Sequence, residues 1–446
     1  MNILVIMGDH LRYDAMSWTD NPLAHTPNID RLAAKSVRFH NCFCQSPVCS
    51  PARHSINTGQ YAHRHGVAAN GLRPYEGMHT LAHSFKPEGF RCFHRGHMHW
   101  QGDQDNGYEP KSDPKYGWVG HDEFDASLSD KARSRKKAEG MDFSLRTSTG
   151  GPGPRKYEEF GGYYVRTKTI EQMEEVAKSG DKFLMFAAFS EPHPPWYPPR
   201  KYYELVDQSK IVLPEERPEN AAPPYPGIVE REQLWEHLTE IEIRQIIAAY
   251  YGLTALFDDY VGEILSKLEE LGLEDDTLIL FSSDHGDQLY ENRLFLKFIT
   301  REASVHVPLM IHMPGQKKAI DRDELVEHVD IFPTLCELTG VPIPDTVQGR
   351  SLVPLLGRDN APDDWRDMVF SEIERQPMHI IMGRTKKWKL NLYEGQAEEL
   401  FDLEADPGEH YNLIASPEHQ DIIHGLQKRI EQWRESTALQ EEKPRR

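Results

Sequence analysis

Carboxylate and imidazole side chains follow three apolar runs of the sequence, at the point where each run ends. The runs cover residues 3–7, 183–189 and 277–281 and lack polar alternation, which is typical of strands buried in a parallel sheet. The side chains that follow them are Asp9, His10, His193, Asp284 and His285. A single aspartate there is an ordinary turn residue. Because ligands bind beyond the carboxyl ends of strands in open α/β sheets, three such ends together predict one shared crevice.

These residue types indicate a site for one divalent cation. Asp9 and Asp284 offer hard oxygen ligands, and His10 and His285 offer nitrogen ligands. The carboxylates favour Ca²⁺, with Mg²⁺ and Mn²⁺ as alternatives. The two histidines shift the balance slightly towards Mn²⁺.

A separate segment, Cys49-Ser50-Pro51-Ala52-Arg53, combines a thiol with a guanidinium. A cysteine before a proline turn is ordinarily an inert buried thiol. Arg53 stands four residues further on, so a helical turn would place it on the same side as Cys49. The start of such a helix would also favour an anion. Neither observation names a reaction.

The pattern of elements predicts an α/β fold with two domains. Strand-like runs alternate with helical patterns, notably residues 241–271, which precede Gly272. We expect a large, mixed, mostly parallel sheet flanked by helices over residues 1–364. Residues 365–446 predict a small antiparallel sheet, with strands at residues 368–371, 380–383 and 387–392, and a helix at residues 420–436. The polar segment 102–163 is rich in glycine, proline and charge, and we interpret it as an insertion that forms a substrate lid.

Composition excludes several classes of partner. The 446 residues carry a net charge of −20, which disfavours nucleic acid. The sequence has no apolar run of the ~20 residues that span a bilayer, so no membrane partner is expected. Five cysteines in this length are typical of a reducing compartment, and no signal peptide is evident, so we expect a cytoplasmic protein. Oligomeric state is left open.

The pattern Cys49-x-Pro51-x-Arg53 matches the C-x-P-x-R signature of the type I sulfatase family, a branch of the alkaline-phosphatase superfamily, and the resemblance covers nearly the whole chain. Further segments that resemble the family are residues 2–14, 26–33, 58–59, 283–287, 304–309, 330–335, 349–352 and 400–413, together with Lys297. The resemblance implies an alkaline-phosphatase-like fold and hydrolysis of a sulfate monoester. It also implies that a formylglycine-generating enzyme oxidises Cys49 to an aldehyde, whose hydrate attacks sulfur and later expels sulfate.

The same resemblance assigns roles by position. Asp9, Asp284 and His285 match the family's metal ligands, and His10 and residue 49 complete the expected set. Arg53 matches the residue that steadies formylglycine and the metal carboxylates. The remaining catalytic or substrate-binding positions are His97, His99, His193 and Lys297, where His99 would bond the hydrated aldehyde and His193 and Lys297 would bind sulfate and the leaving oxygen.

Two positions depart from the family pattern. His10 stands where many members have a second aspartate, so the charge of the metal would be less neutralised. His97 replaces the usual lysine of a G-K-x-H stretch. A histidine is only partly charged near pH 7, which predicts activity that falls as pH rises. The segment around His97 and Trp100 resembles choline-sulfatase-like members, which favours a small substrate. The expected substrate is a small-molecule or saccharide sulfate ester.

Three alternative functions for this chain remain open. A phosphonate monoester hydrolase or phosphodiesterase shares the fold, the metal and formylglycine, and tends to lack the G-K-x-H residues. A two-metal phosphatase would need further ligands, for which His328 and Asp330 are candidates. A sulfatase-like protein without activity would bind sulfated ligands and keep a free thiol at Cys49.

Overall fold

The computed structural model describes residues 1–100, 106–109, 118–119, 125–139, 149–215, 218, 226–357, 361–375 and 378–438. These residues form an eight-stranded mixed sheet and a four-stranded antiparallel sheet. The strands of the large sheet are β1 (Asn2–Asp9), β2 (Val37–Phe43), β3 (Phe90–His97), β4 (Trp118–Val119), β5 (Lys182–Pro192), β6 (Thr277–Ser283), β7 (His306–His312) and β8 (Ile320–Glu327). Those of the small sheet are β9 (Val369–Arg375), β10 (Met378–Arg384), β11 (Trp388–Tyr393) and β12 (Gln396–Asp402).

The helices connect these strands. The described α-helices are α1 (Pro27–Ala33), α2 (Cys49–Thr58), α3 (Ala62–His65), α4 (Leu81–Phe85), α5 (Asp130–Glu139), α6 (Gly161–Ser179), α7 (Arg200–Tyr203), α8 (Pro226–Glu232), α9 (Glu240–Glu270), α10 (Glu302–Val305), α11 (Ile331–Thr339) and α12 (Gln420–Thr437). The predicted helix over residues 241–271 is α9, which begins at a capping box of Thr239 and Glu242. No helix in the described part of the chain is both long and apolar enough to cross a membrane.

Strand directions in the large sheet bring several strand ends to one edge. The order is β4-β3-β5-β1-β6-β7-β2-β8. The neighbours β3, β5, β1 and β6 are mutually parallel. The predicted parallel strands are therefore confirmed as β1, β5 and β6. β3 was not predicted, because its sequence, FRCFHRGH, carries charged and imidazole side chains instead of an apolar run.

Both faces of the large sheet are covered, which agrees with the predicted class. Along β1, Leu4 and Ile6 join one buried cluster with residues of α6 and α9. The alternate residues Ile3 and Val5 join a second cluster, with residues of α2, α4 and α11. Because successive side chains of a strand point to opposite faces, these clusters are the cores of two helical layers.

The C-terminal sheet packs against α12, as the sequence predicted. Leu390, Leu400, Ile430 and Trp433 share a buried cluster that also includes Tyr61 from the first part of the chain. A fourth strand, β12, was missed. The division at residue 364/365 stays a prediction. Part of the proposed lid at residues 102–163, namely 102–105, 110–117, 120–124 and 140–148, lies outside the described residues, and the lid stays a prediction too.

Buried ion pairs also connect the C-terminal sheet to the large one. The carboxylate of Glu302 lies 2.7 Å from the ammonium of Lys389, and that of Glu409 lies 2.9 Å from the same group. Arg301 pairs with Glu399 at 2.7 Å. Removal of either partner would leave an uncompensated buried charge, so these pairs hold residues 301–302 in a fixed position.

Candidate active site

The ends of β1 and β6 place two acidic loops side by side. Gly8 of β1 lies opposite Ser283 of β6 in a parallel register, so Asp9 and Asp284 follow at the same level. His10 has a φ of 65°, which is unusual for a side chain other than glycine. Its backbone N–H donates to Asp284 at 3.3 Å, and its carbonyl accepts from the hydroxyl of Tyr250 at 2.9 Å. These contacts fix the loop in its strained conformation.

The guanidinium of Arg53 joins the two carboxylates. It lies 3.1 Å from Asp9 and donates to Asp284 at 2.9 Å, and all three side chains are fully buried. Burial alone would raise the pKa of Asp9, but Arg53 and neighbouring cations hold that pKa well below its usual range. Asp9 therefore keeps its negative charge although it is buried beside a second carboxylate.

Cys49 begins α2 and points into the same centre. The backbone N–H of Ser50, at this helix start, donates to the side chain of Asn70 at 2.9 Å. The Sγ of Cys49 lies 3.7 Å from Asp9 Oδ1 and 3.2 Å from His285 Nε2. Burial raises the pKa of the Cys49 thiol to about 12, so an unmodified thiol is protonated at neutral pH.

Lys297 supplies a buried ammonium next to Cys49. Its Nζ lies 2.6 Å from Cys49 Sγ and 2.5 Å from His10 Nε2. Burial would lower the pKa of Lys297, but Cys49, Asp9 and Asp284 raise it above its ordinary value. The group therefore stays cationic at the centre of the site.

The donor atoms are close enough to share one cation. One atom each from Asp9, Cys49, Asp284 and His285 lie within 4.8 Å of one another, and so do those of Asp9, His10, Cys49 and His193. Burial lowers the pKa of His285 to about 4 and that of His10 well below 6.5. Neutral imidazoles and ionised carboxylates are the forms that bind metal. The residues present thus fit a divalent ion.

Two histidines at the end of β3 complete the centre. His97 Nδ1 lies 3.1 Å from Asp9 Oδ2, and the rings of His97 and His99 are 3.9 Å apart. Both follow Gly96, whose φ is 90° and whose α-carbon hydrogen faces the carbonyl of Ala188 on β5. Burial lowers the pKa of His99 well below its usual value. The side chain of His97 is 20% exposed, so the buried centre meets solvent on this side.

The structure brings every predicted site residue into this one centre, at distances that permit direct contact. These residues are Asp9, His10, Cys49, Arg53, His97, His99, His193, Asp284, His285 and Lys297. The roles assigned to them stay predictions.

One residue of the centre was missed. Asp287 accepts a hydrogen bond from His10 at 2.7 Å, and burial raises its pKa to about 6. The signal was available, because Asp287 stands two residues after His285 in a segment that resembles the family.

A separate cavity of about 310 Å³ lies beside this centre, between the edge of the large sheet and residues 407–409. It is lined by residues that include Arg12, Gln288 and Arg301, but by none of the ten predicted site residues. Its cations are already paired, Arg12 with Asp14 and Arg301 with Glu399.

The residues considered for a second metal lie elsewhere. Asp330 pairs with Arg366 at 2.7 Å and accepts the backbone N–H groups of Glu327 and Arg350. His328 faces the hydroxyl of Ser282 at 3.2 Å. Neither joins a ligand cluster among the described residues. This arrangement gives Asp330 a structural role and disfavours the two-metal phosphatase.

Comparison with solved structures defines the class of the fold. A phosphonate monoester hydrolase from Silicibacter pomeroyi superposes with a TM-score of 0.82, over 98% of this chain and 95% of that one, at 23% sequence identity. The molecule thus has the alkaline-phosphatase-like hydrolase fold that the sequence predicted.

Sequence comparison then gives the family. The model of the sulfatase family matches residues 1–341, and the model of the C-terminal region of N-sulphoglucosamine sulphohydrolase matches residues 290–436. A choline-sulfatase of Rhizobium meliloti is 31% identical over 93% of this chain and 83% of its own length. An arylsulfatase of Clostridium perfringens is 30% identical over 96% of this chain and 93% of its own length. The chain belongs to the sulfatase family and is a sulfuric ester hydrolase.

Proposed function

We propose that this enzyme hydrolyses a sulfate monoester to an alcohol and inorganic sulfate, with a formylglycine made from Cys49 and one divalent cation. The observation that carries the proposal is the position of Cys49. Its buried Sγ lies between the carboxylate of Asp9 and the ammonium of Lys297. A reacting oxygen there would meet cation ligands on one side and a positive charge on the other.

The cation would be held by Asp9, Asp284 and His285, with His10 and residue 49 in reach. The oxygen ligands taken alone favour Ca²⁺, with Mn²⁺ and Mg²⁺ as alternatives. When bound, the cation and the hydrated aldehyde supply a nucleophilic hydroxyl with a lowered pKa. Arg53 keeps both carboxylates oriented towards this position, because its guanidinium donates a hydrogen bond to Asp284 and forms an ion pair with Asp9.

Modification of Cys49 is supported by the environment of its thiol. A thiol whose pKa is raised to about 12 is protonated at neutral pH, and a protonated thiol is a poor nucleophile. An aldehyde does not depend on this ionisation. The proposal therefore requires a formylglycine-generating enzyme as a partner during maturation.

The remaining side chains would bind the sulfate and the leaving oxygen. Lys297 would donate to sulfate oxygens, where a fixed cation stabilises developing negative charge. His193 donates its Nδ1–H to the carbonyl of Pro194 at 2.5 Å, so its Nε2 faces the centre. Burial lowers the pKa of His193 to about 3, and a bound anion would oppose that shift. His193 can thus pass a proton to the leaving alcohol only while substrate is bound.

His97 and His99 would face the substrate on the solvent side. His99 would bond the hydrated aldehyde, and His97 would bind a sulfate oxygen in place of the lysine found in the family. We propose a small sulfate ester as the substrate, in line with the similarity to a choline-sulfatase.

A second candidate is hydrolysis of phosphonate monoesters or phosphodiesters. The histidine at position 97 favours it, because the usual lysine is absent. The side chain of His97 is partly exposed to solvent, so a second ester group could extend on this side.

Two measurements on one preparation test both candidates. The chain is expressed with a formylglycine-generating enzyme, and mass spectrometry of the peptide that contains Cys49 detects conversion to the aldehyde. Initial rates are then compared for an aryl sulfate, choline sulfate, an aryl phosphodiester and a phosphonate monoester. A Cys49→Ala variant of the same preparation is the control. If Cys49 remains an unmodified thiol in the wild type and the Cys49→Ala variant hydrolyses sulfate esters as fast as the wild type does, the proposed nucleophile is refuted. If the phosphonate monoester is hydrolysed faster than the sulfate esters, the second candidate is favoured.

A further inference from the structure

His10 is held on two sides of its ring by groups of opposite character. Its Nδ1 lies 2.7 Å from the Oδ2 of Asp287. Its Nε2 lies 2.5 Å from the Nζ of Lys297. A lysine ammonium can only donate a hydrogen bond, and an ionised carboxylate can only accept one. Both contacts therefore require the same tautomer, in which Nδ1 carries the proton and Nε2 carries the lone pair.

The carboxylate of Asp287 has a fixed orientation of its own. Its Oδ1 accepts the backbone N–H groups of Leu289 at 2.8 Å and Leu296 at 3.0 Å. Only Oδ2 is left for His10. Asp287 is fully buried, so these bonds are not exchanged for water. The segment that follows contains several left-handed residues, including Leu289, Asn292 and Leu296, and Asp287 ties its two ends together.

His285 has the same arrangement on the other side of Cys49. Its Nδ1 donates to the carbonyl of Gly286 at 2.8 Å, and its Nε2 faces Cys49 Sγ at 3.2 Å. The rings of His10 and His285 are 4.6 Å apart. A histidine that binds metal through one nitrogen commonly donates the other N–H to a carboxylate or a carbonyl. Both imidazoles therefore present unprotonated Nε2 atoms to the same centre.

We propose that Asp287 is a positioning residue that makes His10 a nitrogen ligand of the cation, so that the site prefers Mn²⁺ to Ca²⁺. The inference rests on the proposed metal centre and deepens it. Calcium takes oxygen ligands, whereas manganese accepts imidazole nitrogen as well as carboxylate oxygen. With His10 and His285 both engaged, the protein contributes two nitrogens beside the oxygens of Asp9 and Asp284.

The variant Asp287→Asn tests this with a minimal change of shape. The amide oxygen must face the N–H groups of Leu289 and Leu296, because an NH₂ group there would meet two donors. The amide NH₂ then faces His10 and donates to Nδ1, which moves the ring proton to Nε2. We expect Mn²⁺ affinity, measured by calorimetry with the metal alone, to fall about 10- to 100-fold. Ca²⁺ affinity should change by less.

Two further readouts separate positioning from general structural damage. In metal-free protein with ¹⁵N-labelled histidine, long-range ¹H–¹⁵N spectra at pH 7.5 should show His10 protonated at Nδ1 in the wild type. The variant should be protonated at Nε2. In a His10→Gln background, Asp287→Asn should cost little additional Mn²⁺ affinity, since the group it acts through is gone.

Several outcomes would overturn the inference. These are a wild-type His10 protonated at Nε2, a Mn²⁺ affinity within threefold of the wild type in Asp287→Asn, an equal loss in the His10→Gln background, or tighter binding of Ca²⁺ than of Mn²⁺ by the wild type. The wild-type spectrum decides the question even if the variant fails to fold. Failure of sulfate hydrolysis with tautomer and Mn²⁺ binding intact would count against the proposed function alone.

Discussion

The Nζ of Lys297 lies 2.6 Å from the Sγ of Cys49, although 248 residues separate them in the chain. Lys297 is held there from behind, because Arg231 donates to its backbone carbonyl and to that of Phe298. The ammonium of Lys297 is almost unexposed and its main chain is fixed. It can therefore stabilise negative charge that develops on a bound oxygen without first having to reorganise.

Substitution of Lys297 should therefore act on the chemical step. We expect Lys297→Met to lower kcat/KM for an aryl sulfate by roughly 10²- to 10³-fold, the cost of removing one fixed donor of this kind. Lys168→Met is the control and should leave kcat/KM unchanged, because Lys168 lies on α6 and forms its ion pair with Glu171 at the surface. A loss below threefold for Lys297→Met would contradict the role assigned to this ammonium.

Arg53 should matter for stability as well as for activity. Arg53→Met leaves Asp9 and Asp284 as adjacent buried carboxylates without their common partner. We expect the free energy of unfolding in a chelator to fall by about 3–5 kcal/mol, and part of this loss to be recovered when a divalent cation is added. Urea titrations with and without Mn²⁺ measure both effects.

The exposed pair of Arg133 and Asp130 offers the comparison. Arg133→Met should change the free energy of unfolding by no more than about 0.5 kcal/mol, with no dependence on the cation. If Arg53→Met lowered the free energy of unfolding as little as Arg133→Met does, the carboxylates of Asp9 and Asp284 would not be close enough to repel one another.

Gly96 sets the approach of β3 to β5, and so the position of His97. A Cβ at this residue would lie 1.9 Å from the carbonyl oxygen of Ala188, and φ is +90°. Gly89 has a similar φ of +83° but no atom within 4 Å of such a Cβ. We expect Gly89→Ala to cost about 1 kcal/mol from backbone strain alone. Gly96→Ala should cost about 2 kcal/mol more, because the strands must separate.

Thermal unfolding of both glycine variants gives this difference directly. Only Gly96→Ala should also lower kcat/KM, since it displaces His97 and His99 with the strand end. Equal melting temperatures and equal activities for the two variants would show that the strands can part without cost.

The ion pair of His379 and Glu374 should make stability depend on pH. The hydrogen bond that His379 donates to the carboxylate of Glu374 raises the pKa of His379. Burial opposes ionisation of Glu374, but His379 and Arg434 lower its pKa to about 2. The contribution of His379 is full below its unfolded pKa of about 6.5 and is lost as pH rises through its raised folded pKa. That of Glu374 is lost only as pH falls from about 4.5 towards 2.

Glu374→Gln should therefore destabilise the protein more at pH 6 than at pH 9. The difference should be about 0.5 kcal/mol, because the pair is partly screened by solvent. His379→Gln keeps the contact between Glu374 and Arg434 and should remove the pH dependence with a smaller loss at pH 9. Denaturant titrations at the two pH values measure this difference. If Glu374→Gln lowers the free energy of unfolding by the same amount at both pH values, this ion pair is not the source of the pH dependence.

Much of the fold and of the site could be predicted from local sequence. Residues 3–7 form a buried strand because an uninterrupted apolar run has to be covered on both faces, and α9 follows from its spacing and its capping box. β3 could not be predicted this way, since Arg91, His94 and Arg95 interrupt its apolar pattern. β12 was missed because Gln396, Glu398 and Glu399 interrupt its apolar pattern, and Leu400 and Phe401 are its only buried apolar side chains.

The sequence by itself determined which side chains stand at the ends of strands, and parallel strands bring such ends to one edge of a sheet. Only the tertiary structure decided how they meet there. Arg53 pairs with Asp9 and Asp284, the Nζ of Lys297 lies beside the Sγ of Cys49, and Asp287 accepts a hydrogen bond from the ring of His10. These contacts join residues distant in the chain, and their geometry depends on the packing of whole elements, which no local pattern of residues encodes.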